Sequence, residues 1–130
     1  MIALDTNLLV RLLLRDDAVQ HARVVALLKT DQIFTAPPTV FLELVWVLEA
    51  NDTKPADISR GLDLLLGLPN FTPPHANAVR EALRGYGQGM DFADALHLAL
   101  SSHDETMLTF DKAFVRKAAK LGLRPKLASA

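Results

Sequence analysis

"DFADALHLALSSHDETMLTFDKAF", Asp91 to Phe114, is the stretch on which the fold turns. Wound as a helix, its first part is apolar on nearly every side: Phe92, Ala93, Ala95, Leu96, Leu98, Ala99 and Leu100. The polar residues Asp91, Asp94, His97 and Ser101 fall three, three and four apart and make one narrow stripe. A helix of that composition belongs in the interior. "TMLTF" then reads as a strand bounded by Asp111, and "DKAFVRKAAKLG" as a helix with a glycine stop. A buried helix, a strand and a second helix in succession are the pattern of an α/β protein.

The rest of the chain repeats it. Met1 to Leu4 is a short apolar strand ending at Asp5. "NLLVRLLLR" and "DDAVQHARVVALLKT" are helical, and "QIFTAPP" is a second strand closed by Pro37 and Pro38. "VFLELVWVLEA" and "KPADISRGLDLLLGL" follow as helices, and "NFTPP" is a candidate third strand. "HANAVREALRGYGQG" is a helix running into Gly85, Gly87 and Gly89, and "LRPKLA" offers a last strand. The order β-α-α-β-α-α-β-α-α-β-α-β predicts a mainly parallel central sheet with helices on both faces, in a single domain over 1–130.

Composition narrows the function. Half of the 130 residues are hydrophobic, the upper end for a globular chain, so some apolar surface is left for a partner or a second copy. No apolar run approaches the roughly 18–20 residues of a membrane span. "MIALDTN" lacks a basic region followed by an apolar one, so no signal peptide is expected. The absence of cysteine excludes disulfides and thiol chemistry and fits a cytoplasmic location. With a net charge of −1, any nucleic-acid contact must come from local patches.

The acids carry the chemistry. Sites in open α/β sheets form beyond the carboxyl ends of the strands. Asp5 ends the first strand, Asp111 ends "MLTF", Asp94 lies in the first turn of the helix before that strand, and Glu43 lies one turn into the helix after "IFTAPP". Each also has a plainer reading. Asp5 and Asp111 suit helix caps, and Asp91 reads better as a cap, with Asp94 completing a capping box. Glu43, flanked by apolar residues in "VFLELVWVL", is not at a cap and is expected to need a partner or a metal. Two carboxylates about 4 Å apart repel by roughly 4 kcal/mol at an effective dielectric near 20. An all-oxygen cluster calls for a hard cation, Mg²⁺ or Mn²⁺, rather than zinc.

"ALDTN", Glu43 after the second strand, "DFADALHLA" and "LTFDKAF", taken in that order, resemble the acidic pattern of PIN domains, and in particular the VapC-type toxins of bacterial toxin–antitoxin pairs. The likeness runs from Asp5 to Asp111. It implies a three-layer PIN-like fold and a magnesium-dependent endoribonuclease acting as the toxin of a type II pair. Asp5 and Asp94 would be the principal metal ligands and Glu43 and Asp111 the completing acids. Thr6, Asn7 and Thr109 match supporting polar positions. The resemblance also implies hydrolysis to a 5′-phosphate and a 3′-hydroxyl, a homodimer, and a cognate antitoxin whose helix lies in an apolar groove near Val45–Leu48.

Beside the acids, Arg11 and Arg15 on the first helix and Lys112, Arg116, Lys117 and Lys120 on the helix after Asp111 are candidate RNA-phosphate contacts or an ordinary solvated face. Arg80 and Arg84 form a similar pair with a stronger claim to be solvated. Val45, Trp46, Val47 and Leu48 read as core, His97 as a packed helix residue, and Tyr86 as a turn residue before it is a base-stacking one. A housekeeping PIN nuclease and a catalytically silent protein-binding PIN module are the alternatives. An adjacent antitoxin gene separates the toxin from the housekeeping enzyme, and loss of an acid would mark the silent module. A phosphoryl-transfer domain built on Asp5 lacks a basic or hydroxyl partner for it.

Overall fold

β1 (Ile2–Ala3) and β2 (Phe34–Thr35) pair in parallel, Ile2 opposite Phe34 and Ala3 opposite Thr35. A parallel pair needs a crossover, and α1 (Thr6–Leu14) with α2 (Ala18–Leu28) supplies it. The computed structural model describes all residues from Met1 to Ala130, which fall into two compact units, Met1–Ala76 and Asn77–Ala130.

In the first unit, α1 stops at Arg15, whose backbone is left-handed (φ 57°) and whose N–H returns to the Arg11 carbonyl. Asp17 caps α2 by accepting from the Gln20 N–H at 3.0 Å. Helices α3 (Pro38–Ala50) and α4 (Pro55–Leu66) each begin on a proline at the first helical position, where the missing N–H has no intrahelical partner to lose and φ is already set. Val40, Phe41, Leu44, Val45 and Leu48 bury one side of α3, and Ile58, Leu62, Leu65 and Leu66 one side of α4. "NFTPP" makes only an isolated parallel bridge, Phe34 to Phe71. The Phe34 N–H donates to the Asn70 carbonyl and its carbonyl accepts from Thr72, both at 2.8 Å. Pro73 and Pro74 have no N–H to carry the ladder further.

In the second unit, α5 (Ala76–Gly87) leads to α6 (Phe92–Leu100), β3 (Thr106–Thr109), α7 (Lys112–Leu121) and β4 (Lys126–Ser129). β3 and β4 are parallel, paired from Thr106 with Lys126 to Thr109 with Ser129, and α7 is their crossover. Gly122 ends α7 in a left-handed conformation (φ 65°), and the Leu123 N–H closes onto the Ala118 carbonyl. Tyr86 lies buried in the last turn of α5, edge-on to Phe92 with ring centroids 5.9 Å apart. It is therefore packed rather than a free turn residue. Gly85 lets the helices approach: a Cβ there would sit 3.3 Å from the Ala95 Cβ. Gly85→Val is expected to cost about 1–3 kcal/mol by overpacking, read as a lower urea midpoint.

The seven helices and the parallel pairings agree with the sequence reading of a mixed α/β protein. The expected central sheet takes the form of two two-stranded parallel ladders, one in each unit. No helix is long and apolar enough to cross a membrane.

Candidate active site

The first unit carries Asp5 and Glu43. Leu4 is buried and its N–H donates to the Thr35 carbonyl at 2.8 Å, which fixes Asp5 at the carboxyl end of β1. Asp5 opens α1, and its Oδ1 accepts from the Thr6 N–H at 2.8 Å. That donor is the first of the helix, whereas an ordinary cap reaches the second or third. The Asp5 side chain is thus oriented but only half used, and its second oxygen keeps its lone pairs. Thr6 beside it is buried, and its Oγ1 has no hydrogen-bond partner. A buried, unsatisfied hydroxyl calls for a water or an ion. Asn7 is exposed in the first turn of α1.

Because β1 and β2 run parallel in register, α3 starts from the same ladder edge as Asp5. Glu43 lies in its second turn, and α3 packs against α1. Glu43 is exposed. This corrects the expectation of an acid buried among apolar neighbours. The buried side of α3 is Val40, Phe41, Leu44, Val45 and Leu48, while Thr39, Glu43 and Trp46 share an outward stripe at helical spacing. Trp46 is 76% exposed, so it is not core.

The second unit carries Asp94 and Asp111. Asp91 caps α6, its Oδ2 accepting from the Asp94 N–H at 3.1 Å. Asp94 is half-buried in the first turn. Asp111 caps α7, its Oδ1 accepting from the Phe114 N–H at 3.0 Å, while its own N–H donates to Thr109 Oγ1 at 3.1 Å. Thr109 therefore sets the backbone of an acid, a contact that spacing alone does not reveal. Desolvation, then repulsion from Asp91 and Asp111, pushes the Asp94 carboxyl above its usual range, against weaker attraction from His97 and Lys117. Lys117 also reaches the Gly89 carbonyl at 3.3 Å, tying α7 to the turn before α6. His97 is exposed, not packed.

No group of three or more His, Asp or Glu side chains forms a ready-made metal cluster. The residues nonetheless fit a hard cation. Within each unit the donors are carboxylate oxygens, which a hard cation prefers: in the first the buried Thr6 hydroxyl next to Asp5 is unsatisfied, and in the second Asp94 is repelled by Asp91 and Asp111.

The candidate phosphate contacts differ among themselves. Arg11 is ion-paired to Asp16 at 2.6 Å and holds that carboxyl below its usual range. Arg15 caps the carboxyl end of α1 in a left-handed conformation, just outside the helix it was read as part of. Lys112 and Arg116 are exposed on α7. Arg84 pairs with Glu81 within α5.

The family model of the PIN domain matches residues 2–120. The chain belongs to the PIN-domain family. PIN domains are typically nucleases, hydrolases that act on nucleic acid and generally use divalent metal ions. A comparison with curated proteins found no match.

Proposed function

We propose that this PIN domain is a magnesium-dependent endoribonuclease and the cytoplasmic toxin of a type II toxin–antitoxin pair. Asp5 and Asp94 would be its principal metal ligands, with Glu43 and Asp111 completing the set; Mn²⁺ would substitute. The observation that carries this reading is the crowding of Asp94 by Asp91 and Asp111 inside a family of metal-using nucleases. Repulsion of this kind favours a bound cation or a retained proton at Asp94.

A bound divalent ion supplies charge neutralisation at a phosphate oxygen and a more acidic water. The chain's own residues do the rest. Backbone N–H groups hold one oxygen each of Asp5 and Asp111, which limits their rotamers and leaves the other oxygen directed. An ionised acid of the set accepts the proton of the attacking water. Thr109 keeps the Asp111 backbone in place. Lys112 and Arg116 are free to meet RNA phosphates. The toxin role, the cognate antitoxin and the homodimer rest on the likeness to VapC-type proteins and on apolar surface such as Trp46 and Leu64, which stay exposed.

Cleavage of a structured RNA pool tests the nuclease. Cutting is expected in Mg²⁺, should stop in EDTA, and should leave 5′-phosphate ends. Asp5→Asn and Glu43→Gln are expected to slow it by on the order of 100-fold, the scale for losing one charge-stabilising group. Equal cutting by wild type and both variants, all folded and antitoxin-free, would remove the acids from the mechanism.

A further inference from the structure

The second unit has a cavity of about 450 Å³ at the end of the β3–β4 ladder opposite Asp111. That lies within the roughly 300–1,000 Å³ of small-molecule sites. Its floor is apolar: Ala118 and Leu127 are buried, and Val115 and Leu123 half-buried. Its rim carries both signs of charge. Asp104 and Glu105 come from the turn between α6 and β3, and Arg124 and Lys126 from the chain leading into β4. All four are exposed, and none makes an ion pair or a side-chain hydrogen bond. Opposite charges thus surround an apolar hollow without satisfying each other.

The charge pattern selects the ligand. Ser102, just past the carboxyl end of α6, and Gly122, at that of α7, also line the cavity. Helix carboxyl ends carry partial negative charge and favour cations. With Asp104 and Glu105 beside them, a phosphate, a nucleotide or a nucleic-acid strand is repelled. A purely cationic ligand meets Arg124 and Lys126. A zwitterion satisfies both sets, and an apolar body covers the floor. Thr106 and Lys126 are opposite one another in the ladder, and neighbouring strands lie about 4.8 Å apart. The two charges of the ligand must then be close together, as they are when both groups sit on one carbon.

We propose that this cavity is a binding site for an α-amino acid with an apolar side chain. Asp104 and Glu105 receive its ammonium group, and Arg124 and Lys126 its carboxylate. The side chain settles on Val115, Leu123 and Leu127, where leaving water supplies the hydrophobic part of the affinity. Charge-assisted hydrogen bonds at the rim fix the orientation. The acids at the other end of β3 take no part in this site.

Isothermal titration calorimetry and melting curves with L-phenylalanine and L-leucine test the site, since a ligand of the folded state alone raises Tm. Both are expected to bind saturably at millimolar concentrations or below. Phenylalaninamide, which lacks the carboxylate, and phenylpropanoate, which lacks the ammonium, should bind roughly 10- to 150-fold more weakly, the range for losing one charged hydrogen bond. Glycine, without an apolar body, should give no measurable shift. Arg124→Gln combined with Lys126→Gln, and Asp104→Asn combined with Glu105→Gln, should each weaken phenylalanine over the same range. All four positions are exposed, so both variants should fold as the wild type does. Ala119→Phe, at an exposed lining position, should fill the hollow and abolish binding. No heat and no change in Tm with either amino acid would overturn the proposal. So would equal binding of the analogues that carry one charge. Unchanged binding by the Ala119→Phe variant would place the ligand elsewhere and overturn it too.

Discussion

Asp94→Asn is expected to reduce RNA cleavage by at least about 100-fold and, in the absence of metal, to make the protein more stable. The two effects have one cause. Desolvation and the charges of Asp91 and Asp111 disfavour an ionised Asp94 in the folded chain, and an amide removes that cost while keeping the shape. Partial exposure to water holds the gain near 0.5–1 kcal/mol, or a few degrees in Tm. The sign with pH follows from the direction of the shift. Below the ordinary carboxyl value of 3.8 the proton is bound in both folded and unfolded chains, so wild type and variant should melt alike. As pH rises past that value the unfolded chain releases its proton first, and wild type loses stability until the folded carboxyl has also ionised. Above that point the full difference persists to neutral pH. Melting curves in EDTA from pH 3 to 8 read this directly. Mg²⁺ should reverse the order. A ligand at ten times its Kd stabilises by about 1.4 kcal/mol, and wild type should gain that while the variant gains little. If the variant melts below wild type at pH 7 in EDTA, the carboxylate is held by attraction and the crowded-acid account fails.

What was legible in the sequence is what local chemistry decides. Asp91 caps α6, Asp111 caps α7 and Gly122 stops α7, because each satisfies helix-end groups within a few residues of itself. The parallel α/β organisation was also legible, since alternating strands and helices leave few other solutions. The facing of α3 was not. "VFLELVWVL" is apolar almost all round, so the helical period has no phase from which to choose an outward side. Packing against α1 and α4 chooses it, and turns Glu43 and Trp46 outward. The extent of the ladders was hidden for a related reason. "NFTPP" has the apolar residue of a strand, but whether it pairs beyond Phe71 depends on N–H groups that Pro73 and Pro74 lack. Among the acids, sequence order supplied the four positions and their likeness to a PIN domain. The Thr109 contact, the orphaned Thr6 hydroxyl and the repulsion felt at Asp94 arise only in the folded chain.

Phe34→Ala is expected to destabilise the protein by about 3–5 kcal/mol, the range for deleting a fully buried phenylalanine. Phe34 is completely buried. It lies at the centre of the first ladder, opposite Ile2 on one side and bridged to Phe71 on the other. Its backbone bonds to Asn70 and Thr72 do not involve the ring, so the loss is one of packing, with a cavity the surrounding side chains only partly close. Against a total stability of roughly 5–15 kcal/mol this is a large fraction, and Tm should fall by roughly 10–20 °C. Urea unfolding should show a lower midpoint with an unchanged slope. Phe110→Ala deletes the same ring from a site 86% exposed and should change stability by no more than about 0.5 kcal/mol. The pair separates the two uses of phenylalanine. At position 34 the ring holds together the ladder that sets Asp5 and the start of α3. At position 110 it stands in solvent and adds little to folding. Comparable melting losses for the two variants would mean that the Phe110 ring, 86% exposed in the monomer, is covered in solution.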